Sequence, residues 1–336
     1  MGAIDAERRT LVKLGLATGL GAVLGRPAYA SPVTLRVSSS LTADDNSPHF
    51  LWFDRFRANL KVSVGDAVTL SYFPNNQLGK EADVVQQARL GAVDMMISGA
   101  SIWATILPEM GVLDLGYIYS GWDHVGRALD GAAGQTLAAM LAAKGSVKVL
   151  GWAYNYGARN VYSRRPIRTA ADLHSVKIRV LPVPTFVGTL KAMGAVPIPI
   201  PFGEAYSALQ TGVVDALEQE ASIVLAAKFY EIAKFCALTR HIYNATLPVI
   251  NTRSFERMPP ALRAAVVESA REATVYQRGR AAELDRRAFA ELSRRGVAIS
   301  EIDMSSTRVP MAQFRAEFVS QHPAAKPLLA AVQSAA

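Results

Sequence analysis

Two arginines stand where a strand could hold a guanidinium against an anion. Residues 176–180 alternate apolar and basic side chains, so Lys177 and Arg179 share one face of a predicted strand. A planar guanidinium can hold a carboxylate through two parallel hydrogen bonds, and a strand is a rigid support for it. The alternative for Arg179 is a surface position or a structural ion pair.

Arg159 is the second candidate, and it stands at the start of another predicted strand. It follows Gly157-Ala158, where the glycine lets the backbone turn, and precedes the strand pattern of 160–163. The alternative is a salt bridge at the surface or between domains.

No recognisable catalytic motif accompanies these arginines. The sequence contains no Gly-x-Ser-x-Gly elbow and no His-Glu-x-x-His pair, so neither a hydrolase nor a zinc protease pattern is present. We therefore expect no metal and no cofactor. Catalytic groups can be scattered along a chain, so an exported enzyme acting on organic acids stays the alternative. The five histidines lack metal-ligand spacing: His49, His124, His174, His241 and His322.

Charge and cysteine usage limit the class of partner. The 336 residues carry a net charge of +8, which favours anionic partners weakly and at long range. The basic residues are dispersed and form no stripe interleaved with aromatic residues, so a small anionic ligand is favoured and no nucleic acid partner is expected. Cys236, the single cysteine, has apolar neighbours and is predicted to be a buried structural thiol.

The first thirty residues are typical of an export signal. Arg8-Arg9 precedes an apolar run from Leu14 to Leu24, and Ala28-Tyr29-Ala30 has small residues where a signal peptidase needs them. The arginine pair favours the twin-arginine route. The eleven-residue run is shorter than the roughly twenty residues needed to span a bilayer. Cleavage after Ala30 would leave 32 Lys and Arg against 26 Asp and Glu, a net charge of +6.

The elements that must position the arginines alternate between strand and helix. Strands over 33–41, 67–73 and 93–98 with helices over 49–60 and 80–90 predict a mainly parallel sheet. A second series predicts another α/β lobe, with a buried strand at 213–217. Its other expected strands are 148–154, 160–163, 176–180 and 196–200, and its helices are 184–193 and 204–210.

A single long helix is expected near the end of the chain. Residues 260–295 contain no proline after Pro260 and only one glycine, and apolar residues recur mostly at helical spacing. At 1.5 Å per residue this helix would be about 50 Å long and would extend across both lobes. The alternative is two helices that break near Gly279.

Three sequence blocks resemble the periplasmic binding proteins of TRAP transporters, the DctP family. The resemblance extends from about Thr34 to Pro323, and the order and spacing of the blocks make it specific. The first block joins QLGKE at 77–81 to GAVDM at 91–95. The second includes GAR at 157–159, RPI at 165–167 and KIRV at 177–180, and the third extends from FGEAYSALQTGVVD at 202–215 to KFYE at 228–231.

The resemblance implies a periplasmic protein with two α/β lobes that close around an organic acid, joined by a long helix. It implies that residues 31–156 and 245–284 form the first lobe, and residues 157–244 and 285–336 the second. The acid would then be delivered to the membrane permease subunits of a TRAP transporter. A receptor that feeds a sensor would use the same cleft.

The resemblance also implies a ligand site. The family's carboxylate-binding arginine corresponds to Arg179, with Arg159 and Phe202 as further ligand contacts. Where the family commonly has asparagine, this chain has Gln219, whose longer arm alters the shape of the pocket. The remaining implied contacts are Glu81, Asn46, Ser98 and Ser101. The alternative for Glu81 is an acidic residue that the helix dipole favours at a helix start.

The sequence leaves the acid unidentified. Six aromatic residues could line a pocket for an aromatic acid or could belong to the core: Trp52, Phe53, Trp103, Trp152, Tyr154 and Tyr156.

Overall fold

Two six-stranded sheets organise the chain. The computed structural model describes residues 32–336, so the predicted signal and its cleavage site lie outside the described residues. Within residues 32–336, no helix combines the length and apolarity needed to cross a membrane. The first sheet contains β1 (Val33–Ser39), β2 (Val68–Phe73), β3 (Met95–Gly99), β4 (Val147–Val149), β5 (Ala153–Tyr154) and β11 (Ala245–Asn251). The second contains β6 (Arg159–Ser163), β7 (Lys177–Val180), β8 (Val196–Pro199), β9 (Ala216–Gln219), β10 (Phe235–Ile242) and β12 (Ala298–Glu301).

Helices cover these sheets. The helices are α1 (Pro48–Val64), α2 (Glu81–Leu90), α3 (Trp122–Asp130), α4 (Ala132–Gly145), α5 (Pro184–Ala192), α6 (Ala205–Thr211), α7 (Ala221–Ala226), α8 (Thr252–Glu256), α9 (Pro260–Arg294), α10 (Arg308–Gln321) and α11 (Ala325–Ser334). This arrangement confirms the prediction of an α/β fold with two lobes.

The first sheet has the order β2-β1-β3-β11-β4, with β5 also paired to β11. Its first three strands are parallel, as the alternating pattern predicts, and β11 returns antiparallel to β3. Helix α1 buries Trp52, Phe53, Phe56 and Leu60 in a core with Leu35 and other sheet residues. The single strand expected over 148–154 is divided into β4 and β5, although the Leu150 N–H still donates to the Pro248 carbonyl of β11 (3.0 Å).

The second sheet has the order β12-β10-β6-β9-β7-β8. Strand β9 lies between β6 and β7, pairing antiparallel with β6 and parallel with β7. The strand predicted over 213–217 is displaced to Ala216–Gln219. Gly212 ends α6 in the left-handed conformation, and Val213 in the following turn is 54% exposed instead of buried. Cys236 is fully buried on β10 and burial raises its pKa to about 12, consistent with a structural thiol.

Helix α9 is a continuous spine of 35 residues, and it does not break at Gly279. Pro260 occupies its first turn, where the absent N–H costs no hydrogen bond. The helix packs against α1 beside the first sheet and against α7 beside the second. The prediction of a long helix spanning both lobes is therefore confirmed.

The chain also crosses between the sheets at 155–158 and at 243–244. The two crossings are joined by a hydrogen bond from the Asn155 N–H to the Asn244 carbonyl (3.2 Å). Gly157 has φ +83° and lies against the Asp285 carboxylate of α9. The last helix, α11, packs against α3 and α4, which belong to the part expected as the first lobe. The lobe boundaries themselves stay a prediction.

Candidate functional site

A polar cavity lies between the two sheets, beside the crossing segments. Its volume is about 30 Å³. Residues of the first sheet and its helices face residues of the second, with one asparagine from each crossing. The polar lining residues are Ser40, His49, Glu81, Ser101, Asn155, Arg159, Gln219 and Asn244, and the others are Leu41, Gly99, Ile102, Leu181, Phe202 and Ile223.

Arg179 is fully buried next to this cavity, although it is not one of the lining residues. Its Nε donates to the Ile200 carbonyl (2.8 Å), and its guanidinium carbon lies 5.8 Å from the ring centroid of Phe202, which does line the cavity. Neither Nη1 nor Nη2 has a hydrogen-bond partner among residues 32–336. Burial lowers the pKa of Arg179 from 12.5 to about 10, so the side chain stays charged at neutral pH without a matching counter-ion.

Arg159 is equally buried, but its guanidinium is paired. Its Nε and Nη2 donate to the two carboxylate oxygens of Glu218, and Nη2 also donates to the Glu218 carbonyl (2.9 Å). Its Nη1 donates to Glu220 Oε2 at 2.9 Å. Burial alone favours loss of the proton, yet the two carboxylates outweigh it and raise the pKa of Arg159. Arg159 therefore forms a buried salt bridge within the second sheet, not the salt bridge at the surface or between domains that was the alternative from the sequence.

Three further predicted residues line the same cavity. Glu81, at the start of α2, accepts a hydrogen bond from Ser40 Oγ (2.9 Å), and burial raises its pKa. Gln219 ends β9, and its Oε1 is buried without a hydrogen-bond partner among residues 32–336. Phe202 lines the cavity beside Arg179, with its ring perpendicular to that of Phe229.

The three weaker predictions have different locations. Ser101 lines the cavity and accepts a hydrogen bond from Asn244 Nδ2 (3.3 Å). Ser98 is buried and accepts a hydrogen bond from the Trp103 indole N–H (3.1 Å), and it does not line the cavity. Asn46 lines a separate surface pocket formed with α9, where its side chain donates to Asp44. The structure therefore brings Ser101, but neither Ser98 nor Asn46, to the cavity wall.

Sequence reasoning missed the polar network at the crossings. Asn155 Nδ2 donates to Glu220 Oε1 (2.9 Å) and to Asn244 Oδ1 (3.1 Å). Asn244 Nδ2 in turn donates to Asp114 Oδ1 (2.6 Å), and burial raises the pKa of Asp114 to about 7. Both asparagines lie between strands that belong to different sheets. A polar residue at such a crossing is the sequence feature that could have identified them as residues of the site.

A buried histidine completes the surroundings of Arg159. His241 Nε2 lies 3.4 Å from Glu218 Oε2, and burial lowers its pKa, which favours the neutral ring. Burial favours protonation of Glu218, but the charge of Arg159 together with the hydrogen bonds from His241 and Arg159 outweighs it and lowers the pKa. No group of three or more potential metal ligands occurs within residues 32–336. The arrangement is suited to holding an anion with hydrogen-bonding substituents.

The fold and the site define a two-lobe binding protein, with a polar cavity at the lobe interface and a buried cation beside it. A family model described as bacterial extracellular solute-binding protein, family 7 (DctP), matches residues 39–321. The chain belongs to this family.

Individual relatives agree with this assignment. The 2,3-diketo-L-gulonate-binding periplasmic protein of Escherichia coli (strain K12) is 36% identical over 294 residues, covering 87% of this chain and 89% of the relative. A TRAP periplasmic solute-binding protein from Roseobacter denitrificans with bound β-D-glucuronate has a TM-score of 0.83 and 30% identity, covering 89% of this chain and 99% of that one. A second, from Chromohalobacter salexigens with bound D-glucuronate, has a TM-score of 0.85 and 28% identity, covering 90% of this chain and all of that one.

The function follows from family and fold. The chain is an extracytoplasmic solute-binding protein that delivers a small organic carboxylate to a TRAP-type transporter. Members of the family are periplasmic, bind small acids and work with membrane components. Family members and structural neighbours are binding proteins, not enzymes.

Proposed function

We propose that this chain binds the carboxylate of its acid through the guanidinium of Arg179 and releases the acid chemically unchanged. The observation that carries the proposal is the unpaired state of Nη1 and Nη2 at a fully buried position next to the cavity, within the described chain. A buried charged donor without an acceptor is costly, and these two nitrogens carry four N–H groups. A carboxylate supplies both the charge and the paired acceptors that they need.

The other cavity residues suit the remainder of a sugar acid. Gln219 Oε1 and the Glu81 carboxylate offer acceptors for hydroxyl groups, and Phe202 offers an apolar face beside the carboxylate. None of the six aromatic residues considered for an aromatic acid lines the cavity. Relatives that bind diketogulonate and glucuronate support the same class of ligand.

We further propose that residues 1–30 direct the protein to the periplasm through the twin-arginine route, and that TRAP permease subunits receive the acid. The Arg8-Arg9 pair and the small residues before the proposed cleavage site support export. A full-length fusion should reach the periplasm of a twin-arginine-competent host, and an Arg8→Lys, Arg9→Lys variant should stay inside. Export of the variant at an undiminished level would assign the signal to another route.

Mass spectrometry of the acid released on denaturing the purified protein tests the ligand class. We expect a hydroxylated carboxylic acid, recovered unchanged after prolonged incubation with the native protein. Conversion of that acid into a product would favour the enzyme alternative, and release of an aromatic acid would contradict the sugar-acid assignment.

A further inference from the structure

We propose that Glu220 sets the charge of the ligand, so that the cavity accepts an acid with one carboxylate and rejects dicarboxylic acids. The proposal rests on the function proposed above, because it takes Arg179 as the site of the single carboxylate. It concerns the other buried arginine, Arg159, which borders the cavity and could otherwise hold a second carboxylate.

The hydrogen bonds of Arg159 are almost fully used within the protein. A guanidinium has five N–H groups, and Glu218 receives three of its hydrogen bonds, two through the carboxylate and one through the carbonyl. Glu220 Oε2 receives the fourth, from Nη1 at 2.9 Å. A single N–H therefore remains on Arg159, whereas four remain on Arg179. Bidentate binding of a second carboxylate needs two.

Glu220 is the group that makes this pairing complete. Glu218 alone would neutralise Arg159 and would leave both N–H groups of Nη1 free. Glu220 occupies one of them, brings a second negative charge, and is held in place by the hydrogen bond from Asn155 Nδ2 to its Oε1 (2.9 Å). Both glutamates are completely buried, so their charges are poorly screened.

The charge balance at the cavity then disfavours a second carboxylate on the ligand. The two guanidinium groups face Glu218, Glu220 and Glu81, and Asp114 lies three hydrogen bonds beyond Glu220, through Asn155 and Asn244. The buried histidines that approach these groups, His49 and His241, have lowered pKa values and add no positive charge at neutral pH. The protein's carboxylates would repel a second carboxylate of the ligand, whereas hydroxyl groups of the ligand could donate hydrogen bonds to them.

The test compares acids that share a carbon skeleton and differ in one terminal group. D-Gluconate carries one carboxylate, and D-glucarate carries a second in place of the terminal alcohol. Isothermal titration calorimetry on the ligand-stripped mature protein should show a preference of at least about thirtyfold for D-gluconate, the size expected when a buried charge has no partner. Glu220→Gln should raise the affinity for D-glucarate at least about tenfold and reduce the preference correspondingly, because Arg159 Nη1 becomes available.

Two variants separate this effect from general changes of charge or fold. Glu317→Gln removes one exposed negative charge on α10, outside the cavity lining, so it should leave the preference for D-gluconate unchanged. Glu220→Asp keeps the charge and should keep the preference for D-gluconate even where the overall affinity falls.

The outcome for Glu220 is distinguishable from the outcome for Arg179. An unchanged affinity for D-glucarate in Glu220→Gln, or a wild-type protein that binds both acids equally, would overturn the proposal and leave the Arg179 assignment intact. Wild-type affinity for D-gluconate in an Arg179→Met variant would instead remove the proposed function on which the selectivity rests.

Discussion

Replacing Arg179 by Met should weaken ligand binding and stabilise the ligand-free protein at the same time. In the absence of an acid, the buried guanidinium of Arg179 is charged, but no carboxylate of residues 32–336 is hydrogen-bonded to it. The fall of its pKa from 12.5 to about 10 corresponds to a cost of about 3 kcal/mol in the folded state. The variant also loses the hydrogen bond from Nε to Ile200, which is worth about 1 kcal/mol. The expected net gain in the free energy of unfolding is about 2 kcal/mol.

Binding should change in the opposite direction. Removal of one partner of a buried charge pair costs roughly 2 to 5 kcal/mol, or about thirtyfold to a few thousandfold in affinity. Urea unfolding of ligand-stripped protein measures the stability, and calorimetry with the acid released from the wild-type protein measures the affinity.

A control on the same strand isolates the effect of burial. Lys177 lies two residues earlier and is exposed, so Lys177→Met removes the same charge and should alter stability by no more than about 0.5 kcal/mol and affinity very little. An Arg179→Met protein that is less stable than wild type and binds the acid normally would refute the reasoning, because Arg179 would then be a structural residue.

Three further predictions concern the crossing at Gly157, acid stability and closure of the cleft. Gly157→Ala should lower the free energy of unfolding by at least about 2 kcal/mol, because φ is positive and an added Cβ would collide with α9. The control Gly279→Ala, in open space on α9, should raise the free energy of unfolding by up to about 1 kcal/mol. Thermal unfolding measures both. Burial lowers the pKa of His49 from 6.5 to about 3, so on acidification the unfolded state takes up a proton before the folded state does. The free energy of unfolding should therefore fall by up to about 1.4 kcal/mol per pH unit from pH 6.5 towards pH 3. In urea unfolding at several pH values, His49→Asn should reduce this dependence on pH. The exposed ion pair of Lys80 with Glu204 (2.6 Å) joins the two sides of the cleft. Glu204→Gln should therefore lower the affinity for every acid by no more than about fivefold. Calorimetry in 0.5 M salt should show no such difference, because salt screens exposed charges.

The sequence predicts the elements of this fold well because they depend on local patterns. The strand and helix alternation, the uninterrupted helix after Pro260 and the basic strand carrying Arg179 all follow from the spacing of apolar residues. The displaced strand at 216–219 shows the limit of such patterns. Val213 and Val214 are apolar but lie in the turn before β9, and pairing with β6 and β7 begins only at Ala216.

The partners of Arg159 could not be predicted in the same way. Glu218 and Glu220 lie about sixty residues further along the chain, and the antiparallel pairing of Asn160 with Gln219 brings them to Arg159. Register between distant strands depends on tertiary packing, not on local sequence. For the same reason, Asn46 and Ser98 do not line the cavity, although the asparagines Asn155 and Asn244 and the serine Ser101 do.

A crystal structure of the protein with the acid that it releases on denaturation tests the central claim most directly. We expect the carboxylate to lie within about 3.0 Å of both Nη1 and Nη2 of Arg179, with Arg159 still bound to Glu218 and Glu220. A carboxylate bound to Arg159 instead, with both Nη atoms of Arg179 still lacking an acceptor, would contradict it.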